Sequence, residues 1–368
     1  MHPKLHIPAY TSLRELASIA SVAFLLRLAL FVAALAAYDM TLQQFGQLRD
    51  GPSYLRIAAE MSGNTGAATD WDRRVFPGYP ALIALFDVTG SSAVIVALLL
   101  SWTCSGVAAA ISVVVFRDAR IGWAMAVLTP SYVMFSSLIL TEAVLLAFVM
   151  GGLLLAGRTN PIGAVLLGYA GLIRPVACFA VVGQMISFFK QDRSRKALLF
   201  GGTALAVVVL GLVMMFLWRG DALEGPRRYI EHDSAYAGDL LTWPFKSLIT
   251  IPILHNIPLW KVIYIWGHVA VTLGGCALLA VEMYRDGRDK RSPDDHDLLS
   301  LAAFWLWGNT LFILCLGSQW GFHEFDRFMI AALPALFWAF RRWLPSHRLP
   351  WFFAAALSFT MGLWGINR

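Results

Sequence analysis

The chain has 368 residues, of which 58% are hydrophobic and only 14% are charged, and its mean hydropathy is +0.64. These values exceed those of a soluble globular domain of this length, so the composition predicts a polytopic membrane protein. The formal net charge of +6 is spread along the chain without a basic stripe, which favours anionic lipid and argues against nucleic acid as a partner.

Eleven apolar segments recur along the chain, and a bilayer-spanning helix needs about 20 apolar residues. In chain order they are 14–37, 92–116, 120–134, 137–157, 161–173, 175–189, 197–218, 259–284, 299–317, 328–341 and 350–366. The third, fifth, sixth and tenth are short enough to be tilted or re-entrant. The first has no small-residue cleavage site, so we expect a retained helix and not a signal peptide. No Gly, Ser or Pro linker divides the chain, which predicts one all-α transmembrane bundle over 1–368.

The Lys and Arg of the short loops predict the orientation, because basic residues are held on the cytoplasmic side during insertion. More than half of the 29 basic residues fall on one predicted face, at Lys4, Arg14, 117–120, Arg158, 190–196, 285–291 and 341–348. We therefore expect a cytoplasmic N terminus in a bacterial inner membrane. Arginines of two long outer loops, 38–91 and 219–258, then suggest an anionic ligand, because guanidinium binds phosphate in a fixed fork. The alternative is that long loops translocate whatever their charge.

The first outer loop carries the densest group of polar residues. Asp50 precedes Gly51-Pro52, which can begin a helix, and Tyr54 follows about one turn later. An aspartate in that place is commonly only an N-cap for free backbone N–H groups, and this alternative stays open. The loop then returns through Arg74 and the turn 76–80, whose prolines impose a non-helical entry to the next segment. We expect this loop to carry short interfacial helices, and its acids and arginines are thereby predicted to meet at one membrane surface.

Three further polar positions lie at helix ends predicted on the same outer face. They are Glu142, Arg174 beside a proline, and the turn that contains His323, Glu324 and Arg327. Ionisable groups at membrane depth are costly and are usually retained for function. Each position also has a purely structural alternative. Glu142 could face the lipid headgroups, Arg174 could extend to lipid phosphate, and the turn 323–327 could simply be solvated.

Several other chemistries lack their usual sequence signatures. The chain has no GxxxxGK[ST], GxGxxG or HExxH motif, which argues against nucleotide hydrolysis, dinucleotide redox chemistry and zinc proteolysis. Four cysteines lie inside apolar segments without metal-ligand spacing, and we interpret them as packing residues: Cys104, Cys178, Cys276 and Cys315.

Taken in order, these motifs resemble the integral-membrane GT-C glycosyltransferases. The resemblance is carried by Asp50 with Tyr54, by the stretch 74–80, by Pro130 to Glu142, by 172–175, and by Asp326-Arg327 followed by 333–336. It covers about the first 190 residues, so 1–190 corresponds to the shared core module of that superfamily. The remainder, 191–368, corresponds to a more variable helical module and is matched only around Asp326-Arg327.

The resemblance implies an outer-face active site, a sugar donor carried on a polyprenyl phosphate, and inversion at the anomeric carbon. It implies that Asp50 is the catalytic base, since an acid of the first outer loop has that role in the family. Asp50 is followed by Gly51 and lacks the second acid that some members carry, so a divalent metal is not supported and no cofactor is expected. The lack of a large soluble outer domain favours transfer of one sugar to a glycolipid, glycan or protein acceptor.

The chemistry of such a transfer also suits the residues themselves. It needs a base near the acceptor hydroxyl, positive groups for the departing phosphate, and sideways access for a lipid chain. We expect the phosphate to be bound by Arg174 and Arg327, with Arg74 as a third contact. The candidate substrate-binding side chains are Tyr54, Tyr79, Glu142, His323 and Glu324.

Two readings from other classes compete with the enzyme. A transporter or flippase for a lipid-linked sugar or anionic lipid also needs many helices and buried arginines. It predicts a polar path through the bilayer midplane and often an internal repeat, whereas this chain has no repeat and groups its polar residues at one face. A structural or assembly subunit is the third reading, because each motif has a structural alternative.

Overall fold

The structure, a computed structural model, describes residues 12–86, 89–157, 160–237, 241–286, 293–317 and 319–366. Within these ranges the regular secondary structure is helical, apart from one isolated antiparallel bridge between Leu241 and Leu316. The α-helices are α1 (Leu13–Ala37), α2 (Leu42–Gly46), α3 (Gly51–Met61), α4 (Gly78–Ala84), α5 (Gly90–Phe116), α6 (Ala119–Val127), α7 (Pro130–Ser137), α8 (Glu142–Gly157), α9 (Ile162–Ile173), α10 (Cys178–Lys190), α11 (Ser194–Arg219), α12 (Glu224–Ala237), α13 (Lys246–Leu254), α14 (Leu259–Asp286), α15 (Pro293–Leu314), α16 (Gln319–His323), α17 (Phe325–Met329), α18 (Leu333–Ala339) and α19 (Arg348–Ile366). Four 3₁₀ turns lie at Asp72–Arg74, Pro175–Ala177, Ile330–Ala332 and Arg341–Trp343.

Among the described residues, six helices are long and apolar enough to cross a membrane: α1, α5, α11, α14, α15 and α19. A seventh crossing would come from α7 and α8 together, which are bent by 104° at their junction. The protein is therefore an all-helical integral membrane protein, as the composition predicts. The count of eleven spans is not confirmed, because the predicted segments 120–134 and 328–341 are each divided among shorter helices. Of the predicted cytoplasmic basic residues, Lys4, Arg158, Arg288, Lys290 and Arg291 lie outside the described residues.

A proline breaks the predicted third segment between α6 and α7. Pro130 has no N–H, so it cannot donate to the carbonyl of Ala126 four residues earlier. The fully buried Arg27 of α1 donates to that carbonyl from Nη1 instead. The hydroxyl of Ser358 in α19 donates to the next carbonyl, that of Val127, at 2.6 Å. Neighbouring helices thus satisfy the backbone at the break, which explains a buried arginine inside a membrane span.

Close helix contacts set the positions of α1, α5, α8 and α9. A Cβ at Gly106 of α5 would lie 2.8 Å from the carbonyl oxygen of Ala20 in α1, and one at Gly163 of α9 would lie 2.6 Å from that of Gly152 in α8. Helix association in lipid depends on such close van der Waals packing. Because α8 and α9 are antiparallel neighbours, the start of α8 and the end of α9 lie at the same end of the bundle.

Short helices cover that same end. The first long loop folds into α2, α3 and α4, which agrees with the predicted short helices there, and the segment 219–258 contains α12 and α13. Four charged side chains join the two loops in an arrangement that we call the loop cluster: Glu60, Arg73, Arg219 and Glu224. Each arginine lies near both acids, with N–O distances of 3.3 to 3.6 Å. The loop cluster therefore holds α12 above α3 and the 3₁₀ turn at Asp72–Arg74.

Candidate functional site

A cavity of about 490 Å³ lies beneath these covering helices, between the first long loop, the end of α9 and the α15–α17 region. Its charged lining consists of Arg49, Asp50, Arg74, Arg174, Glu324 and Arg327. Its aromatic lining consists of Tyr54, Trp71, Phe76, Phe312, Trp320 and Phe328. Ligand sites are commonly concave and mainly apolar, with a few convergent polar groups, and this cavity has that character.

Arg327 lies at the centre of the charged wall, with its side chain only 9% exposed. Its Nη2 donates to Asp50 and its Nη1 donates to Glu324, each at 3.0 Å. Its Nε donates to Oε1 of Glu142 at 2.5 Å. One guanidinium therefore joins three carboxylates, which come from the first loop, the start of α8 and the N-cap position of α17.

Two more arginines extend this arrangement on either side. Arg174 donates from Nη1 to the same Oε1 of Glu142 at 2.9 Å. Arg74 donates from Nη2 to Asp50 at 2.9 Å, and its guanidinium lies 4.1 Å from the ring centroid of Trp71. We call these six residues the cavity cluster: Asp50, Arg74, Glu142, Arg174, Glu324 and Arg327. Acids and arginines alternate within it, so the cluster is close to neutral while its guanidinium groups remain grouped at one wall.

The local sequence explains how Asp50 and Arg174 reach the cavity. Asp50 occupies the N-cap position of α3, as predicted, but its side chain makes no capping hydrogen bond. The capping alternative is therefore wrong for its carboxylate, which binds arginines instead. Arg174 is held in an extended conformation, with φ −153° and ψ 131°, because the following Pro175 disfavours the helical region. That conformation ends α9 and directs the chain along the cavity wall.

The arginines also determine the ionisation of Asp50. Partial burial raises the pKa of a carboxyl group, but the charges of Arg327 and then Arg74 outweigh that effect and lower the pKa of Asp50 below its usual value. Its side chain remains 26% exposed. Asp50 is thus an ionised carboxylate that a ligand can reach.

Six of the nine predicted site residues line the cavity, and three lie outside its lining. Glu142 is 1% exposed and lies behind Arg174 and Arg327, so its contacts are those of a residue that positions arginines. Tyr79 is fully buried, and its hydroxyl donates to the Ala97 carbonyl at 2.9 Å. The structure gives no support to the direct substrate contacts predicted for these two residues.

His323 is the third residue outside the lining. Its ring packs against Phe322, with 5.4 Å between the ring centroids. Burial lowers the pKa of His323 to about 4, and the charges of Lys261 and His255 act in the same direction. His323 is therefore neutral at neutral pH, and its predicted substrate contact also lacks support.

Other lining residues were not predicted. Trp71 lies three residues before Arg74, and Trp320 and Phe328 flank the turn 323–327, so aromatic residues next to the charged motifs were the available signal. Pro226 and Ile230 of α12, in the second predicted outer loop, also line the cavity. Their position depends on the loop cluster.

No metal site accompanies the cluster in the part of the chain that the structure describes, where no three His, Cys, Asp or Glu side chains are arranged to hold an ion. Asp50, Glu142 and Glu324 are instead bound by arginines.

No protein-family model matches this chain, and no curated protein shows significant similarity to it. The assignment of function therefore depends on the residues of the cavity and on their geometry.

Proposed function

We propose that this protein is an inverting glycosyltransferase of the GT-C type, which moves a single sugar from a polyprenyl-phosphate donor to an acceptor at the outer face of the membrane. One observation carries the proposal. A reachable, ionised carboxylate, Asp50, shares a cavity wall with Arg74, Arg174 and Arg327, and the rest of the lining is mainly apolar and aromatic. A donor with a sugar, a phosphate and a hydrocarbon chain has the same three chemical parts.

In the proposed reaction the acceptor hydroxyl oxygen attacks the anomeric carbon from the face opposite the phosphate. The bond between that carbon and the phosphate oxygen breaks, and its electron pair leaves with the lipid phosphate. Asp50 takes the proton of the attacking hydroxyl as general base. The arginines stabilise the negative charge that grows on the departing phosphate.

The contacts of Asp50 suggest how the donor prepares the base. Arg74 and Arg327 both donate hydrogen bonds to Asp50. A donor phosphate that takes over part of their hydrogen bonding would weaken their hold on Asp50 and raise the pKa of its carboxyl group. Glu142 keeps its bonds to Arg174 and Arg327 throughout, so it acts as a positioning residue.

The alternative function is a transporter for a lipid-linked sugar or anionic lipid, since the same cavity would suit binding without transfer. The enzyme is favoured because the cavity cluster lies at one end of the bundle. The buried Arg27, which lies between the two ends, is engaged with the Ala126 carbonyl and with the hydroxyl of Ser136 at 2.9 Å. We also propose that the cavity end faces the outside of a bacterial inner membrane, with a glycolipid, glycan or protein as acceptor.

The deciding experiment is a transfer assay with the full-length protein in nanodiscs. Radiolabelled polyprenyl-phosphate mannose, glucose and arabinose are offered separately, with a membrane lipid extract as acceptor. Asp50→Asn should reduce the rate by about 10²- to 10⁴-fold, the usual contribution of general-base catalysis. The matched control is Asp70→Asn, which neutralises an exposed acid of the same loop and should retain transfer.

Near-normal transfer by Asp50→Asn would remove Asp50 as the base. If no donor supports transfer but labelled donor crosses the bilayer of proteoliposomes, the protein is a transporter and not a glycosyltransferase.

A further inference from the structure

A second cavity lies at the opposite end of the bundle from the cavity cluster. The helix α8 begins at Glu142 in the cavity cluster and runs for 16 residues, about 24 Å, to this second cavity at Ala156. The cavity has a volume of about 450 Å³ and lies between the start of α9 and the start of α11. We call it the inner cavity.

Three basic residues dominate the lining of the inner cavity: Arg193, Arg195 and Lys196. Among the described residues that line it, none is acidic. The structure shows no ion pair for these three side chains with any described residue. The inner cavity is therefore a concentrated positive site without an internal counter-charge, which distinguishes it from the cavity cluster.

The position of these charges on the helix is unfavourable by itself. Arg193 is the N-cap residue of α11, Arg195 and Lys196 lie in its first turn, and that turn contains no acid. The first turn of a helix already carries partial positive charge, so basic residues are better placed at the other end. An external anion would relieve this repulsion.

Lys196 is held at the cavity wall. Its Nζ lies 3.9 Å from the ring centroid of Phe188 and 3.4 Å from the carbonyl oxygen of Ala156. Basic residues also direct orientation during insertion, but that role needs neither a cavity nor a fixed side chain.

An apolar surface continues directly from the inner cavity. Leu199 lines the cavity and is 63% exposed, and the next exposed side chains along α11 include Leu205 and Leu210. Only 17% of the residues in the most apolar stretch of α11 are buried inside the protein, and exposed leucines along it can contact lipid. A phosphate bound at the inner cavity can therefore belong to a molecule whose hydrocarbon chains follow α11.

We propose that the inner cavity binds the headgroup of an anionic phospholipid from the leaflet at this end of the bundle. Arg193, Arg195 and Lys196 contact the phosphate, and the acyl chains lie along the exposed face of α11. The proposal does not depend on the glycosyltransferase assignment, because the two sites lie at opposite ends.

The test is native mass spectrometry of the full-length protein released from nanodiscs of equal phosphatidylglycerol and phosphatidylcholine. The wild type should retain phosphatidylglycerol preferentially. The triple variant Arg193→Gln, Arg195→Gln, Lys196→Gln should retain it at least about tenfold less, given roughly a fivefold contribution from each basic residue at a membrane surface. The matched control is Arg14→Gln, Arg285→Gln, Arg348→Gln, which removes three exposed charges from other helices and should behave as wild type.

A second variant separates lipid binding from charge alone. Thr203→Phe places a ring in the inner cavity and keeps all three basic residues, so it should also reduce retention. Equal retention by wild type and the triple variant, or equal loss in the control, would overturn the proposal. Binding of inorganic phosphate by the wild type together with no preference for phosphatidylglycerol over phosphatidylcholine would show that the cavity selects free phosphate, and would overturn the lipid as its occupant.

Discussion

Arg73 and Arg74 are neighbours in the sequence, yet they belong to two different charged groups. Arg73 joins the loop cluster with Glu60 and Glu224, and Arg74 joins the cavity cluster with Asp50. Both groups alternate acids with arginines at the same end of the bundle. The loop cluster closes two loops onto each other, whereas the cavity cluster forms the wall of an open cavity. Charge alone therefore does not distinguish the two groups in this protein, whereas access to a cavity does.

The largest expected difference between the two clusters is between Arg327 and Arg219. Arg327→Gln removes a proposed phosphate contact, so kcat/KM in the transfer assay should fall by about 10²- to 10³-fold. The measurement is steady-state kinetics with the donor that the wild type accepts. Arg219→Gln serves as the control, since it removes an arginine of similar burial that does not line the cavity. Equal losses of kcat/KM in both variants would contradict the distinction, provided that both remain folded.

The loop cluster should instead be visible in stability. Arg219 is 4% exposed and lies near both Glu60 and Glu224, so Arg219→Gln leaves two poorly solvated acids with fewer partners. We expect a loss of about 3 kcal/mol in the free energy of unfolding. Thermal unfolding in detergent measures it, with the exposed Arg227→Gln as a control that should change little. An unchanged melting temperature for Arg219→Gln would mean that the loop cluster does not hold the two loops.

The pair Arg73 and Arg74 sharpens the comparison through pH. Arg74 lowers the pKa of Asp50, so Asp50 stays ionised, and active as a base, to a lower pH than an ordinary aspartate. Arg74→Gln removes that effect, so the acid limb of the pH profile of kcat/KM should move to higher pH. Arg73→Gln should leave the acid limb of the pH profile of kcat/KM unchanged. A limb that does not move in Arg74→Gln would show that another group limits activity at low pH.

The smallest effect is expected from Asp72, which belongs to neither cluster. Burial opposes its ionisation, but two hydrogen bonds from Arg56 and two from Thr69 outweigh burial and lower the pKa of Asp72. The ionised Asp72 side chain therefore contributes its full stabilisation above about pH 4, the pKa of an aspartate in the unfolded chain. That stabilisation is lost as the pH falls through the lower pKa of Asp72 in the folded protein. Asp72→Asn should cost about 1–3 kcal/mol at pH 7 and less in acid.

Chemical unfolding of wild type and Asp72→Asn at a series of pH values measures this difference. Asp70→Asn is the control, because Asp70 is a neighbouring acid whose side chain is 75% exposed. A difference between Asp72→Asn and wild type that stays constant as the pH falls would contradict the assigned ionisation.

The sequence predicts the membrane class and the residues that stand out against it. A high apolar content determines a helical membrane protein, because backbone groups in lipid must be satisfied within helices. Asp50, Arg74, Arg174 and Arg327 were identifiable because ionisable groups beside apolar helix ends are costly. Hydropathy does not show whether an apolar segment faces lipid or packs inside the protein. The eleven predicted apolar segments therefore correspond to six full-length spans among the described helices.

The tertiary structure alone decided which charges meet. Asp50 and Arg327 are 277 residues apart, and only helix packing brings them within 3.0 Å. The same packing separates Arg73 from Arg74, places Tyr54 at the cavity wall with Tyr79 behind it, and puts Glu142 behind two arginines. A sequence records which side chains can ionise or pack. Their partners depend on long-range contacts, because helices from distant parts of the chain must first assemble before any cavity between them exists.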